Sequence, residues 1–220
     1  MDAIQSTQWP RLVHHLSPNV LVLKQQVPFG IGTGRFMPKI KGTSLIDTVK
    51  AVSARGGEGV LARIVAQLNG EARQIFEGPI HPWDWYSLDA YADFLEANIR
   101  ETANGNPEVL IGRSEKVIES QLRGVYRVFI KLGSPGYVVK RIASAHQTYF
   151  DGIDIIPEVE DNRATIKYIG FKKRHRILEY TIVAFHRKAL EISGAKQITV
   201  SFSVPISDDT PYSEVTITWA

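Results

Sequence analysis

The chain has 220 residues, 44% hydrophobic and 22% charged, with no cysteine and a formal charge of +3. A chain of this length accommodates one domain plus extensions and buries roughly 70% of its unfolded surface, so it needs no covalent staple. The lack of cysteine excludes disulfides, thiolate nucleophiles, thiolate-held zinc and iron–sulfur clusters, and the small net charge argues against nucleic acid as a partner.

No stretch of about 18 apolar residues is present, and Met1-Asp-Ala-Ile-Gln lacks the basic-then-apolar order of an export signal, so a cytoplasmic protein is expected. Residues 1–39 carry Pro10, Pro18, Pro28 and Pro38 with Gly30, Gly32 and Gly34, which excludes a long helix and reads as an extension holding one strand over Val20 to Val27. Residues 40–220 read as one domain. Its first helix has Ser44-x-x-Asp47 as a capping box, Leu45, Val49 and Val52 on one face, and Gly56-Gly57 as a stop. A second helix with Leu61, Ile64, Val65 and Leu68 ends at Asn69-Gly70, and a short helical turn through Ile75-Phe76 follows. Ser87 then caps a helix whose Leu88, Tyr91, Leu95 and Ile99 face inward, as far as Asn104-Gly105.

Asn106-Pro107 opens a long helix. Ile118, Leu122, Val125, Phe129 and Leu132 form its apolar stripe, and Arg123, Arg127 and Lys131 repeat on another face until Gly133. Ser134-Pro135 restarts a helix with Val139, Ile142, His146 and Tyr149 on one side. After Asp151-Gly152 the chain turns β: strands over Ile155 to Val159 and Ala164 to Phe171 flank the turn Glu160-Asp-Asn-Arg163. A helix of about 20 residues follows, with Leu178, Ile182, Phe185, Ala189 and Ile192 at four-three spacing before Gly194. Two alternating strands close the chain, one with Ile198, Val200, Phe202 and Val204, the other with Val215, Ile217 and Trp219. This order predicts an α+β fold, a helical layer on an antiparallel sheet of about four strands, whose edge the N-terminal strand is free to join.

The candidate ligand residues are His146, Tyr149, Trp83, Trp85, Tyr86, Tyr126 and Phe129. His146 reads either as a core histidine with one hydrogen-bonded nitrogen or as an axial haem ligand. The aromatic group reads either as a pocket lining or as a core plug. Lys172, Lys173, Arg174 and Arg176 form the densest charge cluster, beside a helix start, and read as an anion or partner site or as a solvated loop. Gly30-Ile-Gly-Thr-Gly34 does not have dinucleotide-loop spacing, and Asp151, Asp154, Glu158, Glu160 and Asp161 do not have calcium-loop spacing. There is no Gly-x-Ser-x-Gly, Walker loop or His-Glu-x-x-His, so no motif argues for an enzyme.

Several landmarks run in order through the chain: Lys41-Gly42, Gly78-Pro-Ile with Trp85-Tyr86, Gly112-Arg113, Arg123-Gly-Val-Tyr-Arg-Val-Phe, Leu132-Gly-Ser-Pro135, Tyr149-Phe150, Gly170-Phe171 and Trp219. On these residues the chain from about Ile40 onward resembles an uncharacterised bacterial domain family of Myxococcales type, similar in turn to 4-vinyl reductase-like and haem-NO-binding-like domains. The resemblance implies a dimeric regulatory module, not a catalyst. The cysteines common near the last hairpin of 4-vinyl reductase-like domains are missing from Phe202 to Glu214. The Tyr-x-Ser-x-Arg that holds haem propionates in haem-NO-binding domains has its nearest counterpart in Tyr137-Val-Val-Lys-Arg141, which lacks the serine. The expectation is therefore a non-enzymatic signalling module that binds a protein partner or small ligand and needs no cofactor or metal. A haem gas sensor using His146 and an enzyme with dispersed residues are the alternatives.

Overall fold

The computed structural model describes residues 37–122 and 134–220, which lie in one compact unit, Phe36–Ala220. The strand expected over Val20 to Val27 falls outside these residues, as do Arg123, Val125, Tyr126, Arg127, Phe129, Lys131 and Leu132. Among the described residues no helix is long and apolar enough to cross a membrane.

The N-terminal part is a layer of helices. Helix α1 (Gly42–Ala66) follows Lys41, which gives no side-chain cap; Ser44 lies inside the first turn, so the expected capping box does not form. The expected stop at Gly56-Gly57 is a kink instead. Gly57 adopts φ 73° and ψ 178°, a conformation open to glycine, and the helix resumes beyond it because Ile64 and Leu68 bury against the next helices. Helix α2 (Gly70–Glu77) is longer than the single turn expected. Helix α3 (Leu88–Ala103) begins as the sequence predicts, with Ser87 Oγ accepting from the Ala90 N–H at 3.3 Å, and ends at Asn104 in the left-handed region. Phe94 of α3 is fully buried and stacks on Phe76, with ring centroids 4.1 Å apart, in a core shared with Val52, Ile64 and Leu68. Helix α4 (Val109–Leu122) completes the layer.

Helix α5 (Pro135–Tyr149) starts at Pro135 with Ser134 Oγ accepting from the Tyr137 N–H, the predicted N-cap and first residue. Strands β4 (Asp154–Val159), β5 (Arg163–Ile169), β6 (Thr199–Val204) and β7 (Ser213–Thr218) form one antiparallel sheet in the order β4-β5-β7-β6. Between its two hairpins runs α6 (Leu178–Ser193), stopped by Gly194 at φ 96°. Strand alternation decides which face is covered. Ala164, Ile166 and Tyr168 of β5 and Val215 and Ile217 of β7 are buried in the main core with α5 and α6, while Thr165, Lys167 and Thr216 point the other way. The architecture is α+β.

The N-terminal side contributes no strand to that sheet among the described residues. Instead β1 (Lys39–Lys41) pairs antiparallel with both β2 (Trp85–Ser87) and β3 (Phe150–Asp151), so that Ile40 stands opposite Tyr86 and Phe150. This small sheet ties the starts of α1 and α3 to the end of α5. It holds the helical layer against the sheet-bearing half.

Candidate functional site

A cavity of ≈ 160 Å³ lies where the two halves meet. Helices α1, α3 and α4 form one wall, with Thr48, Tyr91, Leu95 and Ile118; α5 and α6 form the other, with His146, Tyr149, Ile182 and Phe185; Ile40 and Phe150 from the small sheet also line it. Arg55 and Arg113 supply positive charge to the N-terminal wall.

His146 is buried, and its Nδ1 lies 3.0 Å from the hydroxyl of Tyr168, which in turn lies 2.9 Å from Nε2 of the buried His186. Burial pushes His146 down to about 4, and burial together with the nearby His146 pushes His186 well below the ordinary imidazole range; burial also raises the Tyr168 phenol. All three groups are neutral at neutral pH. His186 Nδ1 is buried without a hydrogen-bond partner. A bare buried N–H is rarer in proteins than a bare acceptor, so the proton of His186 is assigned to Nε2, which donates to the Tyr168 oxygen. Tyr168 then donates to His146 Nδ1, and His146 carries its own proton on Nε2. The imidazole is further oriented by Phe185, at a centroid distance of 4.6 Å.

The structure brings His146 and Tyr149 of the sequence-predicted residues to this cavity. Trp83 and Trp85 do not line it: Trp83 is 58% exposed, and Trp85 is 38% exposed with the Lys41 ammonium 4.1 Å from its ring centroid. Tyr86 packs on the core through its ring, and its hydroxyl accepts from the His81 N–H. Tyr126 and Phe129 are outside the described residues. Tyr137 is exposed and accepts from Arg141, far from the role its sequence neighbourhood suggested. The tyrosine that meets a histidine is Tyr168, in Tyr168-Ile-Gly-Phe-Lys172, where glycine and lysine stand in place of the Ser and Arg of Tyr-x-Ser-x-Arg. Gly170 has φ +114°, and a Cβ there would lie 2.5 Å from the Gly152 carbonyl, so this backbone requires glycine.

The basic cluster opens with Lys172 and contains a single 3₁₀ turn, Lys173–His175, whose Arg174 and His175 side chains reach α3. Nδ1 of the buried His175 accepts from the Lys172 N–H at 3.0 Å, so Nε2 carries the proton and donates to Asp89 Oδ1 at 2.6 Å. Arg174 donates to Asp89 Oδ2 and to both carboxylate oxygens of Asp93. Lys173 gives its backbone N–H to Asp208, and Arg176 is exposed. Replacing Asp89 by Ala orphans the buried His175 N–H and is expected to destabilise the fold by about 1–3 kcal/mol in urea unfolding. Asp89→Asn retains an acceptor and costs less; equal losses would place the energy in the exposed Arg174 pair instead.

The sequence reading missed Tyr168, His186, Arg55 and Arg113 as site residues. Tyr168 was visible only as an inward position of a strand, and His186 as a neighbour of the α6 apolar stripe.

Fold and site together define an α+β domain with an internal cavity between a helical layer and a sheet-bearing half, and with a histidine in the cavity wall. No family model and no curated protein matches the sequence. Solved structures do. A point mutant of the H-NOX protein from K. algicida, in the unliganded Fe(II) state, is similar at TM-score 0.63 and 15% identity, covering 82% of this chain and 97% of its own. The H-NOX protein from S. oneidensis in the Fe(II)NO ligation state is similar at TM-score 0.62 and 12% identity, covering 82% and 99%. An oxygen-binding H-NOX domain related to soluble guanylate cyclases, as its oxygen complex, is similar at TM-score 0.56 and 14% identity, covering 82% and 95%. The fold is therefore that of haem-NO-binding domains. These neighbours overturn the expectation that no cofactor is needed, because two of the similar solved chains carry Fe(II), one of them with NO, and a third is an oxygen complex, which points to haem.

Proposed function

We propose that this domain is a haem-based sensor in a signalling system, with His146 as the residue that would hold the group, and that it acts by recognition and not by catalysis. The observation that carries this reading is the buried His146 imidazole in the cavity wall, with Nδ1 fixed by Tyr168. A histidine that ligates a metal is usually held by a hydrogen bond at its other nitrogen. The rest of the lining fits the same group. Tyr91, Phe150 and Phe185 offer apolar walls, Arg55 and Arg113 complement carboxylates, and the lowered pKa keeps the imidazole unprotonated.

When bound, haem would supply an iron centre able to take a diatomic gas. The cavity of ≈ 160 Å³ is below the roughly 300–1,000 Å³ of sites that enclose drug-sized molecules, so occupancy requires α1 and α4 to draw back from α5 and α6. Such a separation would be a movement that a ligand can bias. Inside the protein, His146 must free Nε2, which places its proton on Nδ1 and makes it the donor to the Tyr168 oxygen. Tyr168 must then donate to His186 Nε2, and the proton of His186 moves to the orphaned Nδ1. The protons balance, but α6 now holds a buried N–H without an acceptor, a cost of about 1–3 kcal/mol that only a local adjustment of α6 relieves.

Absorption spectra of protein expressed with haem supplied test the proposal. A Soret band in the wild type that is lost in His146→Ala is expected; a wild type without the band overturns it.

A further inference from the structure

Two arginines reach a cavity that also carries Asp47, and neither is in an ion pair with a carboxylate among the described residues. Arg55 projects from α1 next to the Gly57 kink, and Arg113 projects from α4. Arg113 is held in place, since Nη1 donates to Thr102 Oγ1 at 2.7 Å and Nη2 to the Thr102 carbonyl at 3.2 Å. Arg55 is exposed on its outer side. Among the described residues neither has a carboxylate partner, whereas Arg63, Arg73, Arg174 and Arg187 each have one. Partial burial and then the charge of Arg113 lower Arg55, and burial lowers Arg113. The wall beside them is apolar, with Leu95, Leu110 and Ile118.

A guanidinium offers a planar fork of N–H donors that matches a carboxylate, and two forks beside an apolar space suit a molecule with an acid end and a hydrophobic body. We infer that Arg55 and Arg113 form a carboxylate site at the edge of the cavity, receiving the acid group of an apolar ligand whose body lies toward His146 and Phe185. The volume of ≈ 160 Å³ is close to that of a roughly 150 Å³ apolar cavity that admits benzene, so a single-ring carboxylic acid fits the cavity as it stands. Haem propionates carry the same chemistry. The inference rests on this cavity being the ligand site, but not on which of the two sources fills it.

Calorimetric titration with phenylacetate, with benzyl alcohol as the uncharged control, reads the first source, and haemin uptake by absorbance reads the second. Phenylacetate is expected to bind about ten-fold or more tightly than benzyl alcohol, an advantage that Arg55→Glu removes. Arg55→Ala, which breaks no hydrogen bond or ion pair among the described residues, should weaken phenylacetate with an unaltered melting curve; Arg113→Gln should weaken it too, with some loss of stability because its two bonds to Thr102 go with it. If haem is the source, Arg55→Glu lowers haemin uptake. Arg55-dependent phenylacetate binding without any Soret band upholds the carboxylate site and removes the haem reading. Haemin uptake that Arg55→Glu leaves unchanged, with phenylacetate no tighter than benzyl alcohol, overturns the carboxylate site and leaves the haem reading standing. Binding of neither probe overturns both.

Discussion

Tyr168→Phe is expected to lower stability by about 2–5 kcal/mol, although it removes a single oxygen and leaves the ring volume intact. The ring is fully buried beneath α5 and α6, so packing changes little. The hydroxyl, however, bridges two buried imidazoles, 3.0 Å from one and 2.9 Å from the other. Without it, His146 Nδ1 loses its donor and the His186 Nε2–H loses its acceptor. His186 is then bare at both nitrogens, since its Nδ1 already lacks a partner. Each buried group left unsatisfied costs about 1–3 kcal/mol, whereas removing both partners together is far cheaper. The double variant Tyr168→Phe with His186→Leu should therefore recover part of the loss, which a double-mutant cycle by urea unfolding measures directly. A single-variant cost near zero would remove the hydrogen-bonded chain from the account of this core.

Local signals account for the parts of this fold that were legible in the sequence. Ser87 and Ser134-Pro135 cap their own helices, and Gly194 ends α6, because a cap depends on residues within one turn. Alternation gave β5 and β7 their buried faces for the same reason. Gly56-Gly57 misled because a glycine pair weakens a helix locally, while the decision to continue is made by Ile64 and Leu68 packing on α2 and α3. The strand Lys39–Lys41 is three residues long, and both of its partners are distant in the chain, so no periodicity marks it.

The site divides along the same line. His146 stood out as a lone histidine on an apolar stripe, but its significance depends on Tyr168 and His186, which reach it only after β5 has folded under two helices. The cluster Lys172 to Arg176 looked like a free basic surface because its acids, Asp89 and Asp93, lie more than 80 residues earlier on α3. Arg55 carries no sequence signal and Arg113 figures only as a landmark beside Gly112, and only the cavity makes a pair of them. Neighbours share the fold at only 12–15% identity, so the fold does not depend on most individual side chains.

The same buried histidines make stability fall with acidity. The folded pKa of His146 is about 4, against about 6.5 for an unfolded histidine, so between these values the unfolded chain takes up a proton that the native state refuses. The contribution is complete above pH 6.5, declines as pH falls through that window, and is lost below pH 4. A difference of about 2.5 pH units corresponds to about 3 kcal/mol. His186 acts in the same direction, being lowered by burial and by His146, and so does His175, where burial outweighs the hydrogen bond to Asp89. Glu179 opposes them above the ordinary carboxyl range, because burial raises its carboxyl and the native state then binds the proton first. The histidine slope begins first, as pH falls below 6.5. Urea unfolding of the apo protein between pH 5 and 8 reads that slope. His146→Asn places an amide near the position of Nδ1 but cannot titrate, so it should flatten the profile while leaving the neutral-pH stability closer to wild type than Tyr168→Phe does. Identical pH slopes for wild type and His146→Asn would mean that this imidazole is not held neutral by its surroundings.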